Sequence, residues 1–355
     1  MPDTPALLHV FSTFAVGGPQ VRFASIANHF GRRYRHVVIA MDGRTACRER
    51  LDPALDLSFL DVPVLRGRTL GNVLPFRRLL LAMRPHALFT YNFGTIDWAI
   101  ANLDGQVRQV HVEDGFGPEE RDRQLPRRVW LRRLLLRRKQ VVVPSQTLLR
   151  IARDQWRLPR VQYLPNGVDL VRFAGPAPAP VPAPVQHGLV VGTVAAVRAE
   201  KNLGRLVRAM VGLPARLVVV GDGPERAGLE ALALKLGVEA QFTGALADPA
   251  SMLRTFDVFA LSSDTEQMPL SLLEAMAAGK PVATTAVGDV RAMLPPDNQP
   301  YVVPLTDNAL HGALAALLAD PVLRSRVGAA NRARAGAAYD QQAMFAGWAR
   351  LFDGT

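Results

Sequence analysis

Three things are scarce in this chain of 355 residues, and each scarcity excludes a class of protein. Cysteine occurs once, at Cys47, so no disulfide can close within the chain and a cysteine-rich zinc site is equally excluded. The reducing cytoplasm is the expected compartment. Long apolar runs are missing: no uncharged stretch approaches the roughly 18 residues a spanning helix needs, and Met1–Val16 has no basic leader. The expectation is a chain neither exported nor membrane-spanning. Lysine is rare too, four against 38 arginines, a bias that coding can produce as well as selection. The clustering of arginine therefore counts for more than its number.

With 49% hydrophobic residues the composition is that of a globular protein, and the length suggests two domains. The formal charge of +11 is unevenly placed: residues 1–170 hold 26 basic and 15 acidic side chains, residues 171–355 hold 16 of each. Arg121 to Lys139 alone contributes nine basic residues and one acid, Asp122. Gly175–Pro184 reads GPAPAPVPAP, which suits a semi-rigid linker and neither a helix nor a central strand.

On either side of that linker, short apolar runs alternate with helical stretches. Leu7–Phe11, Val37–Ala40, Ala87–Thr90, Val107–Val112 and Val141–Val143 come first; Leu189–Val194, Arg216–Val220, Ala240–Thr243, Val258–Leu261 and Val282–Thr284 follow. Continuous apolar strands of this kind predict parallel sheets buried on both faces, in two doubly wound α/β domains facing each other across a cleft. The expected domains are 1–174, a linker 175–186, 187–338, and a C-terminal helix in 339–355 packing across the domains.

The strongest local signal is Ser262–Val282, SSDTEQMPLSLLEAMAAGKPV. A strand ends in a polar loop, Pro269 stands where a helix begins, and an alanine-rich helix runs to Gly279. Glu266 falls in the loop and Glu274 about two turns into the helix. A carboxylate accepts two hydroxyl hydrogen bonds, which suits the vicinal diols of sugars, and the N–H groups near Leu270 and Ser271 suit a phosphate. The same acids are also what an ordinary helix terminus carries. Arg198 and Lys201 follow the first strand after the linker, where a doubly wound sheet binds ligands, and together they match a diphosphate; as bare residues they also fit a solvated surface.

These segments resemble the retaining glycosyltransferases of family 4, with the GT-B fold of two Rossmann-like domains. The resemblance rests on Glu266 and Glu274 with seven residues between them, Ala275-Met276-Ala277, and Gly279-Lys280-Pro281-Val282. Asn166-Gly167-Val168-Asp169, Gly221-Asp222-Gly223-Pro224 and Phe242-Thr243-Gly244 extend it along nearly the whole chain. It implies that Glu266 contacts the donor sugar, Glu274 the nucleotide ribose, and Arg198 and Lys201 the leaving diphosphate. Met268, Pro269, Leu270, Ser271 and Gly244 fall in the donor-binding loops, and Gly17 and Gly18 in the family's first glycine-rich loop. Where the family has glycine after the first glutamate, this chain has Gln267. Many relatives have histidine at the position of Asp114, which makes Asp114 the leading cleft residue by register, with His111 second and equally readable as a core histidine.

The implied activity is transfer of a sugar from a nucleoside-diphosphate donor to a cell-envelope acceptor, lipid-linked, glycolipid or polysaccharide precursor, with no cofactor and no metal. An epimerase or hydrolase of the same fold and a non-catalytic anion-binding protein are the alternatives. Pro126–Lys139 lacks a single apolar stripe; a helix partly packed in its domain with basic exposed flanks is expected, facing an anionic membrane surface. Nucleic acid is not expected as a partner, since Trp130 is the segment's only aromatic. The expected location is cytoplasmic, peripheral on the cytoplasmic face of the membrane.

Overall fold

The computed structural model describes residues 4–65, 69–120, 123–175 and 188–355. The chain divides into two units, Met1–Pro165 with Met344–Thr355, and Asn166–Ala343. Gly175 closes the short helix Leu170–Ala174, and the rest of the expected linker lies outside the described residues.

In the first unit the strands are β1 (Ala6–Phe11), β2 (Arg35–Ala40), β3 (Leu57–Phe59), β4 (Ala87–Tyr91), β5 (Gln109–Val112), β6 (Gln140–Val143) and β7 (Val161–Tyr163). They form one parallel sheet in the order β3-β2-β1-β4-β5-β6-β7. Both faces of the sheet are buried, and the two-residue period of a strand shows it directly: Leu7 and Phe11 join one core, Leu8 and Val10 another. In the second unit β8 (Leu189–Val194), β9 (Ala215–Val220), β10 (Ala240–Gly244), β11 (Val258–Leu261), β12 (Val282–Thr285) and β13 (Val302–Val303) pair in the parallel order β10-β9-β8-β11-β12-β13. Phe259 and Leu261 enter one core there, Val258 and Ala260 the other.

All ten expected strands are present. The three that the sequence did not announce, β3, β7 and β13, each lie at a sheet edge and have two or three residues. An edge strand has one neighbour and less burial, so it needs no long apolar run.

The last helix, Gln341–Asp353, presents Met344, Phe345, Trp348, Leu351 and Phe352 on one face, and these residues belong to a core of the first unit. Phe345 stacks on His29 with ring centres 3.8 Å apart, and Phe352 meets Phe89 edge-on at 5.2 Å. Beneath this helix His9 and His36 share a hydrogen bond of 3.0 Å, and His9 reaches the Tyr91 hydroxyl at 3.2 Å. Burial pushes the His36 imidazole down to about 4. Burial also holds His9 well below the ordinary value, helped by the neighbouring His36. Among the described residues no helix is long and apolar enough to cross a membrane.

Candidate functional site

In a doubly wound sheet, ligands bind outside the strand C-termini where the strand order reverses. In the second unit that point lies between β8 and β11, and the loops leaving these two strands carry the cations and the first glutamate. Lys201 Nζ donates to Glu266 Oε1 at 2.5 Å, and the Ser263 hydroxyl donates to the same oxygen at 2.7 Å. Both charged side chains are partly open to solvent, 19% for Lys201 and 10% for Glu266. Arg198, half exposed, pairs with its neighbour Glu200 at 3.0 Å.

Several residues with no expected role of their own join these loops. Asp264 accepts from Asn202 Nδ2 at 3.1 Å and from Arg205 Nη1 at 2.7 Å, while Arg205 also donates to the Ser262 carbonyl. The Ser262 hydroxyl donates to the Lys201 carbonyl at 3.0 Å, and the Asp264 N–H to the Glu200 carbonyl at 2.9 Å. Asn202 adopts a left-handed backbone, and its side chain caps the helix Leu203–Ala209. These bonds fix Lys201 relative to Glu266 before any ligand arrives. In the sequence they look like ordinary polar residues, because their partners lie about 60 positions away.

The helix Leu270–Ala277 begins at Pro269 without a side-chain cap, so its first N–H groups, Leu270 and Ser271 among them, are not taken by a capping side chain. Its C-terminus is a Schellman turn in which Gly279 N–H donates to the Met276 carbonyl and Lys280 N–H to the Ala275 carbonyl, both at 2.9 Å. Glu274 is the fifth helical residue, one turn in rather than the two expected. Met268 is buried, and its carbonyl accepts from Asn166 Nδ2 at 2.9 Å, which explains why the Asn166-Gly167 segment accompanies the motif.

Gln267 has no left-handed backbone, so its conformation does not call for the glycine the family usually has there. The glycine that the loop does require is Gly288, after β12. Its φ is +50°, and a Cβ there would lie 2.0 Å from the Glu266 carbonyl oxygen. Gly221 meets the loop after β8 just as closely, since a Cβ would collide with the Ala195 carbonyl. Gly244 ends β10, and its carbonyl accepts from the Gly221 N–H at 2.9 Å.

In the first unit Gly17 and Gly18 open the helix Gly18–Phe30 after β1, beside that sheet's own reversal between β1 and β4. A Cβ at Gly18 would meet nothing within 4 Å, so its backbone faces open space. Asp114 is engaged: Arg22 of the same helix grips both its oxygens, at 2.6 and 2.9 Å, with both side chains nearly buried. His111 is fully buried on β5, its Nδ1 2.9 Å from the Thr90 hydroxyl and its Nε2 3.5 Å from Glu113.

The basic segment is less uniform than expected. In the helix Pro126–Leu136, Arg132 is 1% exposed, paired with Glu113 at 3.1 Å and Glu120 at 3.0 Å, and lies over the rings of Phe93, Phe116 and Trp156. It is not part of an exposed flank, because two buried carboxylates need its charge inside. Lys139 is likewise buried, with Nζ on the Asn102 carbonyl at 2.6 Å. Arg127, Arg133, Arg137 and Arg138 are the exposed cations of the segment's helix and its end. Among the described residues no three His, Cys, Asp or Glu side chains gather as a metal ion would require.

Residues 16–172 match the family model for Glycosyltransferase Family 4, and residues 182–334 match that for glycosyl transferases group 1. The chain is 33% identical over 227 residues to a D-inositol 3-phosphate glycosyltransferase of Xylanimonas cellulosilytica, covering 55% of this chain and 54% of that one. It is 31% identical over 188 residues to the lipopolysaccharide core biosynthesis glycosyltransferase LpsD of Rhizobium meliloti, covering 51% and 54%. The match thus spans about half the length of these curated relatives. Among solved structures, HepE of Anabaena in complex with UDP-glucose superposes with a TM-score of 0.82 at 17% identity, over 99% of this chain and 100% of that one. Sucrose-phosphate synthase from Thermosynechococcus elongatus gives 0.78 at 18% identity, over 99% and 98%. At such identities the likeness is one of fold, and the fold is GT-B, with two Rossmann-like parallel-sheet domains. Taken with the two family models, which between them run from residue 16 to residue 334, the chain belongs to the group 1 glycosyltransferases of family 4.

Proposed function

We propose that this chain transfers a sugar, with retention of anomeric configuration, from a nucleoside-diphosphate donor to a lipid-linked, glycolipid or polysaccharide precursor of the cell envelope. The observation that carries the reading is the Lys201–Glu266 pair across the β8/β11 reversal. An incoming diphosphate competes for Lys201 and frees Glu266 to accept from donor-sugar hydroxyls. Lys201, Arg198 and the first-turn N–H groups of Leu270–Ala277 then take up the charge that develops as the bond from the anomeric carbon to the phosphate oxygen breaks. Glu274 holds the ribose. The acceptor oxygen bonds to the anomeric carbon from the same face, and its proton passes to the departing phosphate oxygen. The cations replace a metal in this scheme. Asp114 and His111 take no proton in it, since one is clasped by Arg22 and the other is enclosed in its sheet.

An envelope acceptor is supported by relatives named for lipopolysaccharide core synthesis. It also accords with the exposed Arg127, Arg137 and Arg138, each of which contributes on the order of 1 kcal/mol beside an anionic bilayer. The proposed location is the cytoplasmic face of the membrane, held peripherally. The test is a melting-temperature screen against UDP, GDP, ADP and their sugars, followed by NMR assignment of the product anomer. A ligand at 100 times its Kd stabilises by about 2.7 kcal/mol. If no nucleoside diphosphate raises the melting temperature, or if the product is inverted, the reading fails.

A further inference from the structure

The first unit contains a cavity of about 640 Å³ that none of the donor motifs touches. One wall is a single face of the helix Pro126–Leu136, with Pro126, Val129, Trp130 and Arg133 at positions i, i+3, i+4 and i+7. The side of that helix carrying Arg132, Leu135 and Leu136, which Val129 borders, is what anchors it in the unit. Trp130 is therefore not needed for packing, and it remains 59% exposed at the cavity. Phe116 supplies a second ring from the segment that follows β5.

The polar lining is held in place. The Gln124 carboxamide accepts from the Trp156 indole N–H at 2.7 Å and donates to the Gln155 side chain at 2.8 Å. Arg133 donates through Nε and Nη2 to the Gln155 carbonyl at 2.7 and 2.5 Å, which leaves the donors of Nη1. Gln155 ends a five-residue π turn, Ile151–Gln155, closed by the Trp156 N–H on the Ile151 carbonyl at 3.1 Å. Such turns are uncommon and concentrate at functional sites.

Among the described residues of the lining Glu120 is the only acid, and both its oxygens are already taken by Arg132 from behind, one of them also by Arg128. Arg123 and Arg133 are left to set the potential of the cavity. An exposed indole suits the apolar face of a sugar ring, fixed carboxamides suit hydroxyls, and guanidinium forks suit phosphate, sulfate or carboxylate. The volume lies within the range of small-molecule sites and exceeds a single sugar ring. A lipid chain would require a lining without so many polar groups.

We propose that this cavity binds an anionic saccharide, a sugar unit carrying phosphate, sulfate or carboxylate. Its assignment as the charged part of the acceptor rests on the glycosyltransferase reading above; the binding itself does not. The test uses the full chain and a chondroitin sulfate disaccharide, with lactose as the neutral counterpart, followed by calorimetry. The expected result is saturable binding of the sulfated disaccharide and none of lactose. Trp130→Ala and the pair Arg123→Gln/Arg133→Gln should each weaken it at least tenfold, while the cooperative melting transition, and its rise with whichever of UDP, GDP or ADP the unsubstituted chain binds, is unchanged, which also shows that the variants fold. Absence of saturable binding, or binding that survives both variants, overturns the proposal. So does binding to phosphatidylglycerol vesicles that Trp130→Ala abolishes and the disaccharide does not displace. Absence of a response to UDP, GDP and ADP alike, with disaccharide binding intact, would instead overturn the donor reading alone.

Discussion

After β5 of the first unit, the chain delivers Asp114 to Arg22, and a planar guanidinium closes over both carboxylate oxygens with almost no solvent contact. After β11 of the second unit it delivers Glu266 to Lys201, a compact ammonium on a flexible stem; the two carboxylates are equally exposed, at 10%, and the cations differ, 19% for Lys201 against 4% for Arg22. The two contacts are of similar length, 2.6 and 2.5 Å, and opposite in consequence. The buried fork matches its partner in two places, so exchanging that partner for a ligand would strand a charge inside the unit. The ammonium makes no such planar demand and can pass from carboxylate to phosphate at little cost. Distance alone does not distinguish the two pairs; the exposure and the shape of the cation do.

The largest effect should come from Arg132, the most buried of the segment's described arginines. Arg132→Ala leaves Glu113 without its arginine and Glu120 with Arg128 alone, and should cost about 3–5 kcal/mol, read from urea unfolding followed by tryptophan fluorescence. A loss below 1 kcal/mol would show that burial is a poor guide to which ion pairs are structural here.

Lys201→Ala and Glu266→Ala test the other side of the comparison. Each should lower kcat about 10²-fold or more while the melting temperature moves by a few degrees at most. Near-normal turnover in both would remove the candidate site.

Acid should act on the first unit through His9 and His36. Their imidazoles are depressed when folded, so the unfolded chain binds more protons below its ordinary value of 6.5. Stability is complete above that pH and falls as pH drops toward about 4, where His36 itself titrates. The slope approaches about 1.4 kcal/mol per pH unit for each histidine. A first unit whose melting temperature is flat between pH 7 and pH 5 would contradict this.

The smallest effect belongs to Asp264→Asn, which loosens the link between the two donor loops without touching a ligand. About a tenfold fall in kcat is expected with KM for the donor changed less, and Arg205→Leu should follow the same pattern. Equal losses in folding stability and in turnover would reduce both residues to a purely structural role.

Much of this was visible in the sequence because the informative segments are local. A buried central strand must be apolar on both faces, so β1, β4, β8 and β11 stand out, whereas β3, β7 and β13 pair on one side and blend into loops. The motif from Glu266 to Val282 is likewise one stretch of strand, loop, helix and turn. Asp264 with Arg205, Arg22 with Asp114, and Arg132 with two glutamates depend on pairing over 12 to 92 positions. Composition sees only their charges, which is why Arg132 looked like part of an exposed flank.

Gly288 carries a consequence for how the proposed donor site can change. The carbonyl of Glu266 rests against a position where even a methyl group does not fit, on a loop that belongs to another strand and bears no recognisable motif. The carboxylate can therefore be shifted by substitutions near residue 288 while every signature residue stays in place. Two chains with identical motifs could prefer different sugars, and a search for the determinant confined to the motif would miss it.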